Sequence, residues 1–178
     1  MKPGRRALLG LAAAGALGGC GFRPVYMPSA NGAPGPAERN LAAIHVALIP
    51  DRPGQLLRQA LQQRLQGAGD TTPRRYTLHV TYWISGIAVG ILPDTTATRS
   101  RMIGSANWVL TGNHPPGTQI ASGYARAIDG VNVFDQQYFA FDLETSAVYH
   151  RLAHDLADQI TLRLASLFRA RADARPGG

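Results

Sequence analysis

Arg74-Arg75-Tyr76-Thr77-Leu78-His79-Val80-Thr81-Tyr82-Trp83-Ile84 is the stretch on which the fold turns. Side chains alternate across a strand, so Tyr76, Leu78, Val80, Tyr82 and Ile84 share one face. Arg75, Thr77, His79, Thr81 and Trp83 share the other. Such alternation in a β-branched and aromatic run predicts a half-buried strand with one face to be covered. Gly86 to Gly90 extends it with a bend.

Downstream, Pro93-Asp94-Thr95-Thr96-Ala97-Thr98 reads as a polar turn, and Arg99 to Thr111 as the next strand. Met102, Ala106, Trp108 and Leu110 lie on one side of that strand; Arg99 and Arg101 lie on the other. Gly112-Asn113-His114-Pro115-Pro116-Gly117 is a strong turn signal. Gln119 to Ile128 is a weaker strand, because Ala and Gly fill alternate positions. Three strands joined by turns form an antiparallel meander. Gly130 to Phe141 is less regular and carries Phe134, Tyr138, Phe139 and Phe141. This cluster is either packing at a helix entry or a contact surface for another protein.

Upstream, Ile44, Val46 and Leu48 alternate within Leu41 to Ile49 and make the first strand. Asp51 offers a cap for a helix in which Leu57, Ala60, Leu61 and Leu65 form an apolar stripe, with Gly67 and Gly69 at its end. A long helix spans about Asp142 to Arg169, with Tyr149, Leu152, Leu156, Ile160, Leu164 and Leu167 on its stripe. The expected architecture is therefore α+β: a four-stranded, mostly antiparallel (mixed) sheet with two helices packed on one face, in the order β-α-β-β-β-α. A helical crossover allows the first strand to pair parallel.

The amino terminus has a different character. Lys2, Arg5 and Arg6 precede a short apolar run that closes on Leu17-Gly18-Gly19-Cys20, and Cys20 is the only cysteine. A basic start, an apolar middle and small residues before a cut site make an export signal. Leu three positions ahead of Cys is the bacterial lipoprotein form, in which the thiol takes a diacylglycerol and Cys20 becomes the first mature residue. The run Ala7 to Leu17 is too short to span a membrane, which takes about 20 residues. Arg5-Arg6 leaves export by the general or the twin-arginine route open. The chain then divides into a signal at 1–19, a lipidated tether at 20–40, one domain at 41–169 and a frayed tail at 170–178. Prolines and glycines in residues 21–40 argue against a regular element there.

Removing the signal lowers the formal charge from +7 to +4, and the remaining cations are all arginine. Arginine grips phosphate with a planar fork. An exported, lipid-anchored chain rarely meets nucleic acid, so phosphorylated lipid is the better ligand. Arg99 and Arg101 project together beside a turn, with Arg75 and Arg74 as further candidates; a charged edge that blocks aggregation is the other reading. His150 and His154 lie four apart on the last helix beside Asp155 and Asp158, but Arg151 stands where HExxH needs Glu. His45, His79 and His114 are isolated. Ser85 and Ser105 lack a GxSxG frame, and Walker and GxGxxG motifs are absent. No enzyme and no cofactor is expected, apart from the covalent lipid on Cys20.

Cys20-Gly21-Phe22-Arg23-Pro24-Val25-Tyr26, the turn Asp94 to Arg99 and Leu156-Ala157-Asp158-Gln159-Ile160 resemble the LptE-like lipopolysaccharide-assembly lipoproteins, alphaproteobacterial members above all. The resemblance implies a two-helix, four-stranded domain on the periplasmic face of the outer membrane, lodged as a plug in a large LptD-like translocon barrel. It implies help in assembling that barrel and in delivering lipopolysaccharide to the outer leaflet. Gly21 after the cysteine fits outer-membrane sorting. Family members contact lipopolysaccharide through basic residues, which makes Arg99 and Arg101 local candidates. The alternative is a periplasmic-facing accessory that binds phospholipid or cell-wall material for transport.

Overall fold

The computed structural model describes residues 35–66, 72–91, 97–132 and 138–174. Its elements are α1 (Pro36–Ala42), β1 (Ile44–Val46), α2 (Arg52–Gln66), β2 (Tyr76–Ile91), β3 (Ala97–Asn113), β4 (Pro116–Asn132) and α3 (Tyr138–Asp173). The strands form one sheet in the order β1-β2-β3-β4. β1 pairs parallel to β2, and the other pairings are antiparallel. The expected α+β fold with a mixed sheet is what forms.

Three details differ from expectation. The helix α1 stands where the reading expects irregular chain up to residue 40. Pro36 occupies its first turn, where the missing N–H costs nothing. Strand β1 is only Ile44–Val46, shorter than Leu41 to Ile49. β4 and α3 extend beyond the expected bounds at both ends. At 1.5 Å per residue α3 is about 54 Å long. Cys20, the signal, the first part of the tether, Gly67, Gly69, the bulk of the Pro93–Thr98 turn, Phe134 and the last four residues lie outside the described residues.

The two-residue period of β2 explains the layering. Leu78 pairs with Leu110 and Val80 with Trp108; on β4, Ala121 and Gly123 complete those rows. These side chains face Leu57, Leu61 and Leu65 of α2 and Leu152, Leu156, Ile160 and Leu164 of α3, all buried. Burying each Leu or Ile contributes roughly 1.5–3 kcal/mol, so this single apolar layer is the main source of stability. Phe168, outside the expected stripe of α3, stacks at a tilt on Tyr76 with ring centroids 5.1 Å apart. Small residues on β4 let α3 approach closely. Gly123 lies under the Trp108 indole: a Cβ there would come within 2.5 Å of Cζ2.

Polar ties hold the helices in place. Arg64 of α2 forks onto both carboxylate oxygens of Asp158 on α3, the second at 2.9 Å, and lies 3.2 Å from His154 Nδ1. This pair pulls the Asp158 carboxyl below its ordinary range, chiefly through the Arg64 hydrogen bond. Arg151 Nε of α3 donates to Asp129 Oδ2 of β4 at 2.6 Å. The free edge of β4 is covered from α3: Gln159 donates to the Arg126 carbonyl at 2.9 Å, Arg163 to that of Tyr124, and Arg171 to that of Ile120 at 3.2 Å.

Candidate functional site

The helices leave the other face of the sheet open, and the cross-strand register determines what it presents. Thr81, Asn107 and Tyr124 form one row; Trp83, Ser105 and Arg126 form the next. Then come Ser85, Ile103 and Ile128, followed by Ile87, Arg101 and Gly130. Directly paired residues project from the same side of a sheet, so these rows are neighbours on one surface. Arg99 continues β3 two residues beyond Arg101 and thus shares that side.

Gly130 shapes this end of the face. With no side chain in the way, the Arg99 guanidinium lies over it, with Nη2 3.2 Å and Nε 3.3 Å from where a Cβ would stand. Arg99, Arg101 and Arg126 are exposed. Among them stand Trp83, Ile87 and Ile128, 44%, 52% and 54% exposed, while Ile103 is buried beneath its neighbours. Ser105 Oγ and the Tyr124 hydroxyl are 3.1 Å apart and fix the middle of the surface.

By alternation and register, no Asp or Glu of the described residues in β2, β3 or β4 projects from this face. Asp129 turns to the helix side, where Arg151 pairs with it and Asp129 Oδ1 accepts the Gly130 N–H at 2.7 Å. The hydrogen bond from Arg151 to Asp129 raises the Arg151 pKa above its ordinary value. Among the described residues, the open face of the strands therefore combines guanidinium groups with apolar side chains and no carboxylate. Chemically, such a surface suits an amphiphile that carries phosphate or carboxylate beside hydrocarbon.

The four arginines singled out in the sequence do not form one patch. Arg99 and Arg101 come together as expected. Arg74 and Arg75 precede β2 at its opposite end, about 40 Å from Arg101 at the strand rise of roughly 3.4 Å per residue. Arg74 donates to the carbonyls of Ala42 and Ile44, both at 3.2 Å, and so braces the start of β1. Arg75 donates to Asn40 Oδ1 at 2.9 Å and lies over the Tyr76 ring. Both serve as struts between α1, β1 and β2. Arg126 is the site residue that sequence reasoning missed. Its signal was the Tyr124, Arg126, Ile128 alternation, diluted by the Ala and Gly between.

Elsewhere, His150 and His154 are exposed on α3. Among the described residues no three His, Cys, Asp or Glu side chains converge as a metal site would require. None of the described helices is long and apolar enough to cross a membrane.

A mixed sheet covered by helices on one face, with a basic open face, defines an α+β domain, and comparison with known proteins specifies its kind. The lipopolysaccharide-assembly family, LptE, matches residues 41–164. The chain belongs to that family of lipopolysaccharide-assembly lipoproteins. A lipoprotein from Caulobacter crescentus CB15 has the same fold, with a TM-score of 0.62 at 23% identity, covering 75% of this chain and 96% of that one. The rare lipoprotein B from Shewanella oneidensis superposes with a TM-score of 0.54 at 13% identity, over 72% of this chain and 96% of that one. Lipoprotein B from Nitrosomonas europaea gives 0.52 at 13%, over 74% and 86%. No curated protein matches the chain significantly by sequence.

Proposed function

We propose that this protein is anchored by lipid on Cys20 to the periplasmic face of the outer membrane. There it plugs the lipopolysaccharide translocon barrel, helps that barrel assemble, and offers its open sheet face to lipopolysaccharide. Family membership supports the assembly role. The observation that carries the ligand contact is the open face itself: Arg99, Arg101 and Arg126 beside Trp83, Ile87 and Ile128, with no carboxylate among them. Phosphates bridge the guanidinium pairs in this reading, and the apolar residues accept hydrocarbon.

Two experiments test it. Outer membranes solubilised in mild detergent yield a stoichiometric large barrel with the protein; a consistent absence of the barrel removes the plug role and favours an accessory that works alone on phospholipid or cell-wall material. Arg99→Glu with Arg101→Glu lowers lipopolysaccharide binding at least tenfold, while the circular dichroism spectrum stays unchanged. Unaltered affinity dismisses the patch. Mass spectrometry of the mature amino terminus checks the anchor, which requires an acylated Cys20.

A further inference from the structure

A groove of about 490 Å³ opens between β4 and α3 at the margin of the helix layer. Trp108, Ala121, Gly123, Arg163, Leu167 and Ala170 wall it. Glycine and alanine on β4 and alanine on α3 leave volume that larger side chains would fill in a close-packed layer. Trp108 belongs to β3, pairs with Gly123 and lays its ring over that glycine, with Nε1 3.0 Å from where a Cβ would stand. The edge of the indole that carries Nε1 therefore lies beside a residue of the groove wall.

Trp108 is only 4% exposed, and among the described residues its N–H has no hydrogen-bond partner. An indole N–H can donate but not accept. Native folds seldom leave a buried donor unpaired, and buried tryptophans usually find an acceptor. A hydrogen-bond acceptor seated in the groove would supply it.

The charge around the groove specifies that acceptor. Arg163 is exposed and donates to the carbonyl of Tyr124, the residue after Gly123. Its guanidinium and the Trp108 N–H thus converge on the Gly123–Tyr124 stretch. That bond uses one of the five N–H groups of a guanidinium. Arg171 holds the Ile120 carbonyl at 3.2 Å, so two cations bracket this length of β4. None of the side chains that wall the groove among the described residues is acidic. One neutral donor beside a guanidinium suits a single negative charge shared between two oxygens, and charge-assisted hydrogen bonds are about twice as strong as neutral ones. Ala121, Leu167, Ala170 and the indole offer hydrocarbon alongside. A mainly apolar wall with a few placed polar groups, at this volume, is the usual make-up of a small-molecule site.

We propose that the groove binds a linear amphiphilic monocarboxylate of the fatty-acid class. The carboxylate sits between Trp108 Nε1–H and Arg163, and the chain runs along Leu167 and Ala170. The site lies on the opposite side of the sheet from the arginine face, with Gly123 about 24 Å along β4 from Gly130 at roughly 3.4 Å per residue. It goes beyond the lipopolysaccharide-assembly reading and stands without it.

The test uses the full chain, labelled with nitrogen-15, in detergent. Octanoate moves the Trp108 indole N–H signal downfield and saturates in the millimolar range, while the Trp83 indole on the open face stays still. Octanol, which enters micelles at least as readily, and acetate, which lacks the chain, each bind at least tenfold more weakly. The Gly123 amide reads binding in the variants. Trp108→Phe keeps a ring but removes the donor and weakens octanoate at least fivefold. Ala170→Leu, at an exposed helical position, fills the groove and weakens it at least tenfold with circular dichroism unchanged. A Trp108 signal that moves no more than that of Trp83 overturns the proposal. So does octanol or acetate binding as tightly as octanoate, or an Ala170→Leu variant of unaltered affinity.

Discussion

Replacing Gly123 by alanine tests the layered core at its tightest point. The new Cβ would stand 2.5 Å from Trp108 Cζ2, 2.8 Å from Cε2 and 3.0 Å from Nε1. Ordinary carbon contacts lie near 3.5–4.0 Å, so a flat, rigid ring overlaps the new methyl by about 1 Å. Overpacking of this kind costs typically 1–3 kcal/mol. Beside the ring, a groove of about 490 Å³ between β4 and α3, bounded by Trp108, Gly123, Arg163 and Leu167, gives the indole room on one side. Alanine also restricts the unfolded chain and returns about 0.4–1 kcal/mol. The net loss is about 1–2 kcal/mol. At roughly 4 °C per kcal/mol for a domain of this size, the melting temperature falls by about 4–8 °C. Thermal denaturation followed by circular dichroism reads it. The decisive control is Trp108→Leu, which removes the ring. In that background the clash is gone and Gly123→Ala stabilises by about 0.4–1 kcal/mol, so the double-mutant cycle shows a coupling of about 1–3 kcal/mol. A Gly123→Ala variant as stable as the parent, or strict additivity with Trp108→Leu, refutes the account of how α3 settles on the sheet.

Two further predictions concern titration. Among the described residues Tyr82 OH is buried without a hydrogen-bond partner, and burial, with Tyr149 nearby, pushes its phenol up to about 12. A raised folded pKa holds its proton longer than the unfolded chain does, so stability is intact below pH 10 and falls between pH 10 and 12. Tyr82→Phe leaves the neutral-pH melting temperature unchanged or higher and flattens that alkaline fall; a marked loss at pH 7 means the hydroxyl has a partner. Asp158 has the opposite sign. Its lowered folded pKa adds stability above the ordinary carboxylate value near 4 that is lost as pH falls through the folded pKa. The pair is partly solvated, so Asp158→Asn costs under about 1 kcal/mol at pH 7, and that cost shrinks as pH falls below the ordinary carboxylate value. A cost that stays the same as pH falls shows that the carboxylate charge is not what Arg64 holds.

Strong periodicity made the sheet and both large helices legible, and weak periodicity hid the rest. From Tyr76 to Ile84, β2 alternates large apolar residues with mostly polar ones, so the faces of that stretch could be assigned from spacing alone. α3 repeats Leu and Ile at helical intervals over many turns, although Phe168 fell outside the stripe as drawn. α1 was obscured because Pro36 reads as a breaker, whereas proline in the first helical turn is compatible with the helix. The separation of Arg74 and Arg75 from Arg99 and Arg101 is a matter of register. Spacing showed that Arg99 and Arg101 share a face, but it did not show that the far end of β2 is what pairs with them. Nor could it reveal that the Arg74 guanidinium is occupied by two carbonyls. Arg126 was missed because a strand of Ala and Gly gives little contrast between its faces.

The division of labour across the sheet separates stability from recognition. On the helix side nearly every position is coupled: Gly123 to Trp108, Gly104 to Tyr82 and Leu156, Asp129 to Arg151. Changes there propagate through a close-packed layer and are read as loss of fold. On the open side Arg99, Arg101, Arg126, Ile87 and Ile128 are exposed and rest on backbone that the other face already holds. Substitutions at such positions usually alter stability by no more than about 0.5 kcal/mol. The two faces thus carry different kinds of information. A substitution on the open face that abolishes binding while the melting temperature holds reports recognition directly, because the surface owes its shape to the helices behind it and contributes little to holding them there.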